Sequence, residues 1–278
     1  LRDGGYYTDW NFSERLVNDY LEATKSALIK YIEIGFRSLE NNCFKGAFAF
    51  VSEEFLNGLN IPDNLSIGVM INASELILEG KYVKERIKHL VPLKSINSKV
   101  DLIRIACDPQ EFETIIPAFE YIKDKGYITG ANIMKVTEIN NNKLNKIGLI
   151  ASKAPIDVLY IADSLGSLIP KEIDNIITCI RENWHGDIGI HAHDNKGLAL
   201  VNSLEAIEKG ATWVDSTITG MGRGAGNART EELVLELEVN KENKFNILPL
   251  LKIINKNFNE MKRQYSWGSN PYYYLAAK

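Results

Sequence analysis

Asp187-Ile-Gly-Ile-His-Ala-His193, followed by Asp194 and Asn195, reads as a β-strand ending in two histidines. Residues i and i+2 of a strand point to the same side. His191 and His193 therefore leave one face together at the C-terminal end, while Ile188, Ile190 and Ala192 offer an apolar face to covering helices. Two neighbouring imidazoles on a rigid strand make half of a divalent-metal site. Histidines satisfied within a core can share that spacing, so the rest of the chain has to decide.

Other short apolar runs alternate with longer helix-period segments. The strand readings are Tyr31–Arg37, Leu65–Asn72, Val100–Cys107, Ile128–Val136, Ile156–Ala162, Asp187–His193 and Thr212–Thr217. Amphipathic stretches such as Glu14–Lys30, Glu111–Lys125, Lys171–Asn183 and Lys196–Lys209 lie between them. A strand-like stub at Leu1–Asp3 makes an eighth strand, largely truncated. Strand–helix alternation implies parallel pairing through crossover helices, and eight such units fit a (β/α)8 barrel. A doubly wound open sheet is the alternative, but no Gly-x-Gly-x-x-Gly follows the first strand. The expected division is a barrel over residues 1–240 and a short helical extension, 241–278, packed on it.

Barrel enzymes gather their catalytic groups at the C-terminal ends of the strands. Those ends supply Arg2 and Asp3, Glu33 with Arg37, Asn72, Arg104, Asn132, Asp163 with Ser164, His191 with His193, and Ser216 with Thr217. Asp3 adds a hard oxygen to two imidazoles and completes a facial three-ligand set with open positions. Arg2 beside it offers a fixed fork to a carboxylate or oxyanion. On Leu1-Arg2-Asp3-Gly4-Gly5 alone, an ordinary surface turn is the plainer reading. Strand parity points Glu33, Gly35 and Arg37 inward, and Arg104 with Leu102 and Ala106. A charged residue inside a buried parallel sheet needs a partner. Arg104 is equally a substrate-binding residue or half of an interior ion pair. Gly220-Met-Gly-Arg-Gly-Ala-Gly-Asn227 allows close backbone approach. Asn227 either caps the following helix or turns its amide into the site.

The chain has 278 residues, 45% of them hydrophobic, enough for a large core. A net charge of −4 excludes a basic surface for nucleic acid or anionic membrane. Cys43, Cys107 and Cys179 are odd in number and scattered, which points to reduced thiols in a cytoplasmic protein. No apolar run reaches 18 residues and no signal-peptide pattern opens the chain.

Taken in order, Leu-Arg-Asp-Gly (1–4), Ile-Glu-Ile-Gly (32–35), Asp-Ser-Leu-Gly (163–166), His-Ala-His-Asp-Asn (191–195) and the loop 220–227 resemble the DRE-TIM metallolyase superfamily. That superfamily includes 3-hydroxy-3-methylglutaryl-CoA lyase, isopropylmalate and homocitrate synthases and 4-hydroxy-2-oxovalerate aldolase. The matches run from Leu1 to about Glu232, and the Gly-Ala-Gly-Asn form of the last loop is most similar to the aldolase branch. The resemblance implies Asp3, His191 and His193 as metal ligands, with Asn227 beside them or ligating. It implies Arg2 as enolate stabiliser and Glu33 as the signature acid. Tyr6 stands where relatives carry Gln or His, which opens the identity of the base.

With these groups, the resemblance implies a class II type aldolase that cleaves a 4-hydroxy-2-oxo acid to pyruvate and an aldehyde, the metal acting as Lewis acid to the enolate. Mn²⁺ or Mg²⁺ is favoured and Zn²⁺ is admissible. Arg104, Asn132, Ser164 and Tyr272 are the expected substrate contacts, Tyr272 by folding back over the mouth. Lys135 shares parity with Ile133 and points outward, against a Schiff-base mechanism. A Claisen-type acyl-CoA condensing enzyme or acyl-CoA lyase is the alternative. The expected partner is a small 2-oxo acid, with no nucleic acid and no membrane. A homo-oligomer is compatible, and the short C-terminus disfavours a docked dehydrogenase.

Overall fold

The computed structural model describes residues 1–39, 44–239 and 244–278. Seven strands form one parallel sheet: β1 Tyr31–Phe36, β2 Ser66–Asn72, β3 Val100–Cys107, β4 Ile128–Ile133, β5 Val158–Asp163, β6 Asp187–Ala192 and β7 Trp213–Val214. Their order in the sheet is their order in the chain. Each pairs in parallel with the next, as a crossover helix between strands requires. The sheet curls into a TIM-type barrel until its edges face one another. Tyr31 of β1 and Trp213 of β7 bring their rings within 4.5 Å across the gap. Leu1–Asp3 forms no strand. It lies at the top of that gap, where the Arg2 amide donates to the Glu33 carbonyl at 3.3 Å.

The helices form where apolar spacing and caps agree. In α1 (Glu14–Ser26), Ser13 caps the amide of Leu16 at 3.3 Å, and Leu16, Val17 and Leu21 form the buried stripe. Further helices include α2 (Glu53–Asn57), α3 (Lys84–Leu90), α4 (Ile116–Asp124), α5 (Asn141–Ala151), α6 (Pro170–Arg181), α7 (Ala199–Glu208) and α8 (Thr230–Val239). The outward strand residues Ile103, Ile105, Ile161, Ile188 and Ile190 pack beneath them. Burying each such side chain contributes about 1.5–3 kcal/mol.

After these come α9 (Ile247–Ile253), a π turn at Ile254–Phe258, α10 (Asn259–Tyr265) and α11 (Pro271–Ala276). Leu250, Ile253 and Phe258 join Leu16, Ala27 and Trp267 in a second buried cluster. The boundary expected at 240 falls outside the described residues, as does Cys43. Cys107 and Cys179 are unpaired and buried.

Most strand ends lie within one or two residues of the sequence reading, and three features depart from it more. The strand expected over 128–136 stops at Ile133, because Lys135 turns left-handed at φ +52°. The last strand is two residues long, not six. β1 carries a bulge between Glu33 and Gly35. A bulge adds one residue to one strand and reverses parity beyond it. A Cβ on Gly35 would collide with the Phe48 carbonyl and Val51, so Gly35 faces outward. Phe36 consequently lies under the Arg2 guanidinium, 5.7 Å from its centre. Arg37, expected at the mouth beside Glu33, instead pairs outside the barrel with Glu53 of α2 at 2.6 Å and with the Leu90 carbonyl.

Candidate active site

Asp3, His191 and His193 meet at the C-terminal mouth of the barrel. All three are buried, and one ligand atom from each lies within 4.8 Å of the others. The two imidazoles share a face because they stand two residues apart at the end of β6, with ring centroids 5.0 Å apart. Asp3 arrives from the Leu1–Asp3 segment at the gap beyond β7, the strand next to β6. Trp10 Nε1 donates to the Arg2 carbonyl at 2.9 Å, anchoring the segment, and the Asn227 amide nitrogen donates to Asp3 Oδ2. Gly222 packs against that pair, where a Cβ would come within 2.6 Å of Asp3 Oδ2. Gly226 takes φ +85°, a left-handed conformation natural to glycine, with its carbonyl accepting from the Asp194 amide.

A chain of alternating charges runs from this triad through the barrel interior and back. Arg2 Nη1 donates to Asp3 Oδ1 at 2.7 Å and Nε to Glu33 Oε2 at 2.6 Å. Glu33 Oε1 lies 3.3 Å from Arg104 Nη1. That nitrogen also donates to both oxygens of Asp215, at 3.0 and 2.8 Å, and Nη2 donates to Asn132 Oδ1 at 2.7 Å. The Arg104 guanidinium stacks 3.6 Å above the Tyr160 ring. Asp215 Oδ2 then meets His191 Nδ1 at 2.9 Å, and His191 Nε2 faces Asp3 Oδ2 at 4.0 Å. A cavity of about 170 Å³ is lined by these same groups, Arg2, Asp3, Glu33, Arg104, His191 and Asp215 among them.

Burial dominates the electrostatics, and the partners answer it. Burial would raise the Asp3 carboxyl, but Arg2, the two histidines and the Asn227 amide outweigh it and hold Asp3 well below the usual carboxylate range. Asp215 is likewise held low against burial, chiefly by Arg104 and then by His191. Burial, reinforced by the adjacent His191, lowers His193 to about 3, so its imidazole is neutral and available as a ligand near pH 7. Asn227 Oδ1 and Glu33 Oε1 are buried acceptors without a hydrogen-bond partner. An ionised carboxylate, two imidazoles and an orphaned amide oxygen at one spot are the donor set of a divalent transition-metal site. The residues therefore fit a metal of that class.

The other sequence candidates divide. Arg104 and Asn132 lie in the interior, bonded to each other. Tyr6 stands at the rim, half-exposed, its ring packed edge-on against Trp10 at 4.7 Å. Burial raises its phenol, partly opposed by Arg2, so Tyr6 keeps its proton through the neutral range. Ser164 accepts the Lys135 amide at 3.0 Å, and its carbonyl accepts from Arg223 at 2.9 Å. Asp163 caps its own loop, accepting the Ser167 and Leu168 amides. Lys135 pairs with Asp108 at 3.0 Å on the surface, away from the lumen, although the strand ends before it and parity does not set its direction. Tyr272 does not fold over the mouth. It is 84% exposed on α11, while the neighbouring Tyr273 lies against Gly224 of the glycine-rich loop.

Two site residues were missed in the sequence. Tyr160 lies within the apolar run Ile156–Ala162, where a tyrosine gives no sign of a charged partner. Asp215 lies inside the run Thr212–Thr217, whose expected end is Ser216 with Thr217, but the strand stops at Val214 and puts Asp215 at its end. The rule that singled out Glu33 and Arg104, a charge at the end of a buried strand, applies equally to Trp213-Val-Asp215.

Residues 1–257 match the family described as HMGL-like. The oxaloacetate decarboxylase of Mycobacterium tuberculosis is 26% identical over 240 residues, covering 86% of this chain and 68% of the relative. A 4-hydroxy-2-oxovalerate aldolase from Brevibacillus brevis is 28% identical over 239 residues, with the same coverage. Among solved structures, the N-terminal domain of a candidate aldolase from Bacteroides vulgatus superposes with a TM-score of 0.89 at 35% identity. That match covers 99% of this chain and 89% of the other.

Proposed function

Because the chain belongs to the HMGL-like family, we propose that it is a divalent-metal-dependent carbon–carbon lyase that cleaves a 4-hydroxy-2-oxo acid to pyruvate and an aldehyde. The observation that carries this reading is the buried convergence of Asp3, His191 and His193 beside the Arg2 guanidinium. Asp3, His191 and His193, together with the Asn227 amide oxygen, would hold a divalent ion, which would supply Lewis acidity for the carbonyl of a 2-oxo acid. The relatives named 4-hydroxy-2-oxovalerate aldolase support the substrate class.

Arg2 supplies the second positive group. Two of its three nitrogens are taken by Asp3 and Glu33, which lock the guanidinium in place. Nη2 makes no hydrogen bond to the described residues and is free to face the carbonyl oxygen, where charge grows as the C3–C4 bond breaks. Glu33 orients Arg2 through its Nε, and Phe36 shields the face beneath. Cleavage passes the proton of the 4-hydroxyl to solvent water, releases the aldehyde and leaves the pyruvate enolate. Tyr6, protonated near pH 7, gives its proton to the enolate carbon, and solvent then reprotonates its phenolate, so one proton leaves and one returns. Arg104 sits in the wall of the cavity, held there by its hydrogen bond to Asn132.

The relative named oxaloacetate decarboxylase supports a second reading, because loss of CO₂ from a 3-carboxyl leaves the same enolate. One screen separates the two. Pyruvate release is measured from a panel of 4-hydroxy-2-oxo acids and from oxaloacetate, with chelator and with added Mn²⁺. Chelator-sensitive release from a hydroxy acid supports the aldolase. Release from oxaloacetate alone supports the decarboxylase, and strict dependence on acetyl-CoA would replace both with a condensing enzyme.

A further inference from the structure

Asp215 is the one charged residue of the interior chain to which the reaction above gives no task. It is placed with unusual definition. Arg104 Nη1 reaches both of its oxygens, at 3.0 and 2.8 Å, and one of them also meets His191 Nδ1 at 2.9 Å. A carboxylate clamped by a guanidinium is an acceptor only, so the imidazole must be the donor in that contact. With its proton on Nδ1, His191 presents the Nε2 lone pair on its other side, where Asp3 Oδ2 lies at 4.0 Å. Arg104 is itself fixed on its remaining sides by Asn132, Glu33 and the Tyr160 ring. The clamp therefore begins in the rigid interior of the barrel and ends at a candidate ligand.

We propose that Asp215 is a positioning residue that fixes His191 in the Nδ1–H tautomer, so that Nε2 serves as the metal ligand, with Arg104 holding Asp215 in place. The role rests on the metal reading above. It deepens that reading by naming the group that sets the geometry and basicity of one ligand, as carboxylates bonded to ligating histidines do. A plainer role competes with it, in which Asp215 only neutralises the buried Arg104 charge.

Two measurements on the full chain decide between them. In metal-free protein with ¹⁵N-labelled histidine, NMR reports the His191 tautomer directly. The wild type should be Nδ1–H, and Asp215→Ala should become a mixture or reverse. Calorimetric titration with Mn²⁺ is then run on the wild type, Asp215→Asn, Asp215→Ala, Arg104→Met and the Arg104→Met/Asp215→Ala double variant. Asp215→Ala should weaken Mn²⁺ binding by roughly 10–100-fold, the usual range for losing such a partner. Asp215→Asn, whose amide oxygen can still accept from Nδ1–H, should lose less and guards against a variant that fails to fold. The loss should persist in the double variant. If removing Arg104 restores affinity, Asp215 was only a counter-charge and the proposal is overturned. Wild-type Mn²⁺ affinity and an unchanged tautomer in Asp215→Ala would overturn it as well, while leaving the metal reading intact. Wild-type protein that binds no Mn²⁺ would overturn both.

Discussion

Replacing Gly222 by alanine aims one methyl group at the two side chains that set the position of Asp3. The Gly222 backbone is not in the left-handed region, so alanine meets no conformational penalty and the effect is steric. The new Cβ would overlap Asn227 Nδ2 and stand 2.6 Å from Asp3 Oδ2 and 3.0 Å from Asn227 Cγ. Ordinary contact begins at 3.4 Å, so the Asp3 carboxylate must retreat by about 0.8 Å or swing away. Metal–ligand distances tolerate only about 0.2 Å. Mn²⁺ affinity should fall by at least roughly 10-fold, and a displacement approaching 1 Å should lower turnover by about 10²-fold even at saturating metal. The fold should lose little, since overpacking costs about 1–3 kcal/mol and a loop yields more readily than a core. Calorimetric Mn²⁺ titration, pyruvate release and a melting curve of metal-free protein measure the three effects. Gly58→Ala is the control, because a Cβ there meets nothing closer than 3.4 Å and lies at a distant helix end. Wild-type affinity and turnover in Gly222→Ala would refute the reasoning, and with it the placement of Asp3 as a ligand.

Four further outcomes are expected. His191→Ala/His193→Ala protein should lose its bound metal by elemental analysis, and full occupancy would remove the imidazoles from the ligand set. Arg2→Ala should lower kcat by roughly 10²-fold or more, as loss of one oxyanion donor does, with Lys restoring only part. A rise in KM alone would make Arg2 a carboxylate anchor instead. Borohydride with substrate should trap no adduct, since Lys135 is paired with Asp108 on the surface, and a trapped pyruvate adduct would establish a Schiff base. Tyr6→Phe should lower turnover without changing Mn²⁺ affinity, and unchanged turnover would take Tyr6 out of the proton path.

The site was legible in the sequence where its logic is local. Alternation along a strand places His191 and His193 on one face whatever surrounds them, and the same rule marked Glu33 and Arg104 as charges needing partners. Their partners turned out to be Arg2, Asp215 and each other. What misled was non-local. The bulge after Glu33 seats Gly35 against the Phe48 carbonyl and Val51, more than ten residues further on, and the strand-interior glycine is the only local hint of it. Parity carried past that point sent Arg37 to the wrong side of the sheet. β7 is short because it pairs with β6 on one side and meets β1 through Tyr31 and Trp213 on the other, not through a ladder. Composition alone made that segment look like a full strand. Tyr272 and Tyr273 are indistinguishable in sequence. Only the Asn270 cap, which fixes the start of α11, decides which of the two faces the loop.

The interior charges also bear on what the cavity can take in. Asp3, Glu33 and Asp215 face Arg2 and Arg104, three negative groups against two positive, so with neutral imidazoles the assembly carries one net negative charge. Burial makes that imbalance expensive, because a lone buried charge is the arrangement proteins avoid. A monovalent cation would only neutralise it. A divalent ion reverses it to one positive charge, which a single carboxylate then cancels. A 2-oxo monocarboxylic acid meets that condition, and a neutral ketone or aldehyde does not. The charge count thus favours metal and acid entering together, each lowering the electrostatic cost of the other. The two should bind cooperatively. Mn²⁺ titrated in the presence of oxamate, an inert acid with one carboxylate and a similar chelating shape, should bind more tightly to the wild type than Mn²⁺ alone. Replacing Arg2 with Met takes one positive charge from the site, so Mn²⁺ alone should bind more tightly while the gain from oxamate shrinks. Equal gains in the two proteins would mean that the acid is recognised elsewhere and that the balance of these five groups does not select it.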